Sequence, residues 1–132
     1  MIKILICGAT GFIGRNLVNT LSKNKRYQIY AVSHQEQSFD VPDAINKVIW
    51  CNSDLTSVKS LESILFDKDI VIQAAATTSG AKDIVNSPYL HVTDNAIMNS
   101  LLLRQAMESK VKHFIFFSCT VMYQNSDVPL KE

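Results

Sequence analysis

Three of the chain's four glycines fall at a single spacing, in Gly8-Ala9-Thr10-Gly11-Phe12-Ile13-Gly14. The apolar run Ile2–Cys7 precedes them, and Phe12, Ile13, Leu17, Val18 and Leu21 follow at helical spacing, which predicts a strand, a tight turn and a helix. A turn of this kind does anion chemistry. Gly8 permits the sharp reversal, Gly11 lets the backbone approach a phosphate with no Cβ in the way, and Gly14 lets the helix lie against the strand. The unpaired N–H groups and positive end of the helix then face the anion. A glycine-rich turn with no ligand is the plain alternative. With so many of the glycines gathered at this spacing, a dinucleotide pyrophosphate is the expected ligand.

Other reactive side chains are scattered. Cys7, Cys51 and Cys119 are odd in number and far apart, which argues against a disulfide framework and against a Cys-x-x-Cys metal site. Each lies in or beside an apolar run, where a free thiol acts as a small buried hydrophobe. His34, His91 and His113 stand apart from one another and from any acidic cluster, so no metal site is expected.

The elements that must position the glycine turn come from a chain of 132 residues, 47% hydrophobic, with a formal charge of +1. That length suits one domain. The charge offers no global field for nucleic acid or an anionic membrane, so neither is an expected partner. No stretch approaches the ~20 apolar residues of a membrane span, and the apolar N-terminus is too short for a signal peptide. The expectation is a soluble cytoplasmic domain.

Further strands are predicted at Gln28–Val32, Lys47–Trp50, Asp69–Ala76 and His113–Cys119. A helix capped by Thr56 or Ser57 should bury Val58, Leu61, Ile64 and Leu65. A longer helix from about Tyr89 to Ser109 offers Ile97, Leu101, Leu102 and Met107 to the core, with Pro88 just ahead of it. This alternation predicts an α/β fold, a doubly wound parallel sheet, which with the glycine turn is a Rossmann-like dinucleotide-binding domain. Ligands of such sheets bind beyond the carboxyl ends of the strands. The segments to watch are therefore Gly8–Gly14, Ser33–His34, Asp54–Leu55, Ala74–Ser79 and Ser118–Tyr123.

The glycines are spaced GxxGxxG, and in this form the turn resembles the cofactor loop of the extended short-chain dehydrogenase/reductase family. The likeness continues along the chain. Asp54-Leu55-Thr56 is similar to the segment that sits against adenine in that family, and Val71–Ala76 to the end of its fourth strand, where Ala74, Ala75 and Ala76 leave the cofactor room. Asn95 corresponds to its helix asparagine, and Ser118–Tyr123 looks like its fifth-strand Ser/Thr motif. Within the family, Ala74–Gly80, Asn86–Tyr89 and Ser118–Cys119 look most similar to the GDP-L-fucose synthase branch. The resemblance implies an NAD(P)-dependent nucleotide-sugar epimerase, dehydratase or reductase that moves hydride to or from a sugar ring carbon. It implies a nucleotide-sugar substrate and, for the full-length parent, a homodimer.

The residue at the end of the second strand meets the adenosine ribose in such folds, and NAD enzymes place an acid there. Here it is Ser33, followed by His34. A serine can bond a 2′-phosphate that a carboxylate would repel, so NADP is favoured over NAD. Arg15 either reaches the same region or is a plain exposed helix residue.

Family catalysis also needs a Tyr-x-x-x-Lys pair and a Ser/Thr hydroxyl. Tyr27, Tyr30, Tyr89 and Tyr123 are followed four residues on by Ala31, His34, Thr93 and Asp127, so the pair is absent from the chain. In the family it lies beyond the fifth strand, so residues 1–132 are expected to be the cofactor-binding part of a longer enzyme, inactive alone. The alternative is a non-catalytic dinucleotide-binding regulator of the atypical reductase type, and a third reading is an interaction domain without cofactor. For the hydroxyl, ungapped counting from Tyr123 reaches Cys119, with Thr120 one position later and Ser118 one earlier. Either a bulge brings Thr120 into place, or the Cys119 thiol stands in, or Cys119 merely packs.

Overall fold

The computed structural model describes residues 1–35, 38–77, 85–118 and 124–130. Five parallel strands form one sheet: β1 (Ile2–Cys7), β2 (Tyr27–Ser33), β3 (Ile49–Asn52), β4 (Ile70–Gln73) and β5 (His113–Phe116), in the order β3-β2-β1-β4-β5. Helix α1 (Phe12–Leu21) links β1 to β2, α2 (Val58–Leu65) links β3 to β4, and α3 (Pro88–Glu108) precedes β5. This is the expected doubly wound sheet. Its order reverses between β1 and β4, and there the chain leaves a crevice at the strands' carboxyl ends.

Side chains alternate across the central strand. Leu5 and Cys7 join Val32, Val71, Leu61, Leu65, Met98 and Leu102 in a core under α2 and α3. Ile4 and Ile6 join Ile29, Ala31, Ile72 and Val18 in a second core under α1. The period of two, with both faces apolar, is what a strand covered on both sides requires.

Several expectations shift. β3 starts two residues later than predicted, and the segment before it is held by side chains instead of a ladder. Asn46 Nδ2 donates to the Tyr27 carbonyl at 2.9 Å and Gln28 Nε2 to the Lys47 carbonyl at 2.8 Å, so strand pairing begins at Ile49 opposite Tyr30. β4 stops at Gln73, not Ala76, because the backbone beyond it bonds to side chains, as described below. Val58, the first residue of α2, is 42% exposed, while Leu61, Ile64 and Leu65 are buried as expected. On α3 the inward face is Met98, Leu102, Gln105 and Ala106, leaving Ile97 and Met107 outward, Met107 at 73% exposure. Cys7 is buried, but Cys51 is only half-buried. Among the described residues no helix is long and apolar enough to cross a membrane.

At the opposite end of the sheet, Asp69 ties three strands together. Its N–H donates to the Lys3 carbonyl, its carboxylate accepts the Lys3 N–H at 2.8 Å and Lys112 Nζ at 2.7 Å, and its carbonyl accepts from Lys112 and His113. The Lys112 ammonium and then the Lys3 N–H hold the Asp69 carboxyl below its ordinary value, against a smaller opposing effect of burial. A lowered folded pKa stabilises the protein above the unfolded carboxyl pKa, and that contribution disappears as pH falls through the folded value. Asp69→Asn should therefore lower the melting temperature at about pH 7, with the gap to wild type closing as pH falls through the lowered carboxyl value, beneath the ordinary carboxylate range. Melting curves over this fall in pH check it; a gap independent of pH would count against the charge.

Gly14 sets the distance between α1 and β1. A Cβ there would lie 2.1 Å from the Gly8 carbonyl oxygen and 2.8 Å from Ala9 Cα, all backbone atoms that cannot step aside. Gly14→Ala should cost roughly 1–3 kcal/mol or more, as other overpacked sites do. Denaturant titration against wild type measures this directly.

Candidate functional site

At the switch point the strands' carboxyl ends surround a cleft of about 890 Å³, a size suited to small-molecule and cofactor sites. The glycine turn contributes Gly8, Thr10, Gly11, Phe12 and Ile13; the end of β2 contributes Val32, Ser33 and His34; the segment after β3 contributes Ser53–Thr56. The far wall is Ala74–Thr77, with Asp94 and Met98 from α3. Segments distant in sequence thus converge, because every parallel strand ends at the same edge.

The turn is built from backbone contacts. Gly8 has φ +71°, and a Cβ on it would fall 2.6 Å from Ala75 Cα, so both its conformation and its neighbour exclude a side chain. Ala9 N–H donates to the Val32 carbonyl and Gly11 N–H to the Gly8 carbonyl. Gly11 is the N-cap of α1, and no side chain caps the helix. Its first N–H groups consequently have no acceptor within the helix and stand at the cleft wall with the positive end of the dipole. Space is not what excludes a side chain at Gly11: a Cβ there would meet only the Gly8 carbonyl at an ordinary 3.4 Å. Beyond that contact the position is open, and Gly11 lines the cleft.

Phe12 and Ile13, first seen as part of a helical stripe, do not join the core. They sit at the cleft, Phe12 at 87% exposure. Gly14 lies beneath the turn, outside the cleft lining. Asp54 accepts the Thr56 hydroxyl at 2.6 Å and the Thr56 N–H at 2.8 Å. Those two bonds, with a smaller contribution from His34, hold its carboxyl below the ordinary value, while burial opposes them. The site therefore presents an ionised acceptor beside the apolar Leu55.

The wall after β4 is fixed by amide side chains. Buried Gln73 accepts the Ala75 N–H at 3.3 Å and donates to the Ala75 carbonyl at 3.1 Å and to Asn99 Oδ1 at 2.8 Å. Asn95 accepts the Thr77 N–H and donates to the Thr77 carbonyl, both at 3.0 Å. His91 Nδ1 lies 3.3 Å from the same carbonyl. These bonds replace a strand ladder and leave Ala74–Ala76 as a wall of small side chains.

Arg15 does not line the cleft. Its guanidinium stacks 4.7 Å over the Phe39 ring, which meets Trp50 edge-on at 5.0 Å. Ser118 is exposed beyond β5 and is not among the cleft residues. Cys119, Thr120 and Tyr123 lie outside the described residues. Burial, then the neighbouring Cys51, pushes the Cys7 thiol up to about 12, so it stays neutral. Among the described residues no group of His, Cys, Asp and Glu is arranged to hold a metal ion. Sequence reasoning did not single out Val32, Ser53, Asp94 or Met98, while Thr77 fell within the watched segment Ala74–Ser79. Ser53 was within reach of it, directly preceding Asp54; Asp94 and Met98 come from a helix whose facing only packing determines.

A UDP-glucose 4-epimerase of Vibrio cholerae is 32% identical over 123 residues, covering 88% of this chain and 34% of that protein. The chain thus spans about a third of the length of that relative. The structure of UDP-N-acetylglucosamine 4-epimerase from Methanobrevibacter ruminantium M1, in complex with UDP-N-acetylmuramic acid, superimposes with a TM-score of 0.78 at 27% identity, over 98% of this chain and 42% of that one. In fold, the UDP-glucose 4-epimerase from Bifidobacterium longum in complex with NAD+ and UDP is similar with a TM-score of 0.81 at 22% identity, over 98% of this chain and 41% of that one. The family model described as NAD dependent epimerase/dehydratase family matches residues 4–132. With its glycine turn, switch-point cleft and nearly whole-length match, the chain belongs to the NAD-dependent epimerase/dehydratase family, the extended branch of the short-chain dehydrogenases/reductases.

Proposed function

We propose that residues 1–132 form the dinucleotide-binding part of a nucleotide-sugar epimerase, dehydratase or reductase, with NADP preferred to NAD. One observation carries the reading: the uncapped N-terminus of α1 and the vacant side of Gly11 open on the same cleft as Asp54 and the alanine wall. When bound, the nicotinamide would supply hydride transfer to or from a sugar ring carbon. The chain's own residues bind and orient. The N–H groups following Gly11 hold the pyrophosphate. Ser33 and His34 face the adenosine ribose, and the Asp54 carboxylate accepts from the adenine amino group. Leu55 and Met98 supply apolar wall, and Ala74–Ala76 let the nicotinamide half pass without obstruction.

The substrate is an NDP-hexose, either transiently oxidised at a ring carbon or reduced as a 4-keto sugar; the epimerase relatives support this class. Cys119 or Thr120 orients the reacting oxygen. The working enzyme is a homodimer. NADP preference rests on Ser33, a hydroxyl where NAD enzymes carry an acid.

Titration with NADPH and NADH, followed by fluorescence, tests the cofactor. NADPH should bind more tightly, and Ser33→Asp should weaken it by about tenfold or more through like-charge repulsion while sparing NADH. Unchanged relative affinities would remove Ser33 from the ribose site. Gly11→Ser keeps a good helix cap but fills the phosphate space, so melting should change little while dinucleotide affinity drops by about tenfold or more. Equal affinity in that variant would place the phosphates elsewhere. Cys119→Ser and Thr120→Val, assayed for NDP-hexose turnover in the full-length protein, identify the orienting group by which one loses rate.

A further inference from the structure

Ser53 follows β3 and is 5% exposed, yet its hydroxyl has no hydrogen-bond partner. No other buried side-chain polar atom is so placed among the described residues. Its backbone is well held, the N–H donating to the Ser33 carbonyl at 3.0 Å. The neighbouring Thr56 hydroxyl is already matched, bonding Asp54 at 2.6 Å, and the buried Ser22 hydroxyl, at the far end of α1, reaches the Asn19 carbonyl at 3.4 Å. Buried hydroxyls are ordinarily paired, and leaving one unpaired destabilises the fold. Ser53 also lines the cleft. The residue that carries the orphan hydroxyl is thus part of the cleft wall.

Position says what it meets. Outward from β1, the strand ends present the glycine turn, then Ser33 and His34 after β2, then Ser53–Leu55 after β3. On the dinucleotide reading this order is phosphate, ribose, base. The ionised Asp54 supplies an acceptor for an exocyclic amino group. A ring nitrogen of the base accepts a hydrogen bond, and a serine hydroxyl can donate one. We infer that Ser53 is a base-recognition residue, its hydroxyl donating to a ring nitrogen of the cofactor's purine. The inference rests on the dinucleotide reading and adds a residue to it.

Ser53→Ala separates binding from folding, because it removes a group that is unpaired in the free protein and paired in the complex. Without ligand, the variant should melt at or above the wild-type temperature. Its affinity for ADP-ribose should fall roughly threefold to tenfold, the worth of one neutral hydrogen bond. Inorganic pyrophosphate, which has no base, should bind both proteins alike. Should the alanine variant not fold, Ser53→Cys, similar in size and a poorer donor, serves the same comparison. Unchanged ADP-ribose affinity overturns the inference and leaves the dinucleotide reading standing. Equal weakening of ADP-ribose and pyrophosphate overturns it as well, since the effect would not involve the base. If wild type binds no ADP-ribose, the dinucleotide reading falls, and the role of Ser53 with it.

Discussion

Two backbone contacts at the start of the chain leave no room for side chains, and the rest of the site follows from them. Gly8 turns in the left-handed region with Ala75 against it, and Gly14 lies directly on the Gly8 carbonyl. Together they lock the exit of β1 to the exit of β4 and the first turn of α1 to both. Sheet order reverses at the same place. One constraint therefore creates the crevice and aims a helix N-terminus into it, so the anion site needs no basic surface. On the proposed reading, a chain with a net charge of +1 would take a pyrophosphate for that reason.

The cleft walls are made rigid in two ways. On the β4 side, Gln73 and Asn95 bond the backbone of Ala75 and Thr77 in the manner of a neighbouring strand, so small side chains can line the wall without loss of order. On the β3 side, Asp54 is held as an anion by Thr56, while Ser53 beside it is unsatisfied. One wall is complete in itself; the other has hydrogen-bonding capacity to spare. That asymmetry matches a ligand whose base end is recognised by polar contacts and whose other end must slide past alanines.

Most of the candidate site was legible because its segments sit at strand ends. Once the alternation of strands and helices is read, the positions after each strand are the lining residues: Ser33–His34, Asp54–Leu55 and Ala74–Ala76 all line the cleft. Residues on helices were harder. Ile97 and Met107 have the right chemistry for a core and point outward, while Gln105, a polar residue, is buried. The packing angle of α3 decides which of its faces meets the sheet, and apolar residues occur all round that helix. Arg15 had two readings of equal standing, and only the position of Phe39 decided that its charge rests on an aromatic ring.

By itself, the sequence determined the parallel α/β fold, the strand-to-helix turn at Gly8–Gly14 and the family. Each rests on a local pattern: apolar runs, glycine spacing and short motifs that physics reads over a few residues. Tertiary structure alone decided where β4 stops, which side of α3 is buried, that Gly11 faces open cleft while Gly14 faces backbone, and that Ser53 is without a partner. Those facts depend on what lies across a gap of a few ångströms from residues tens of positions away, and no local pattern encodes that neighbour. The three glycines look alike in the sequence; their surroundings make one a turn, one a packing contact and one an opening.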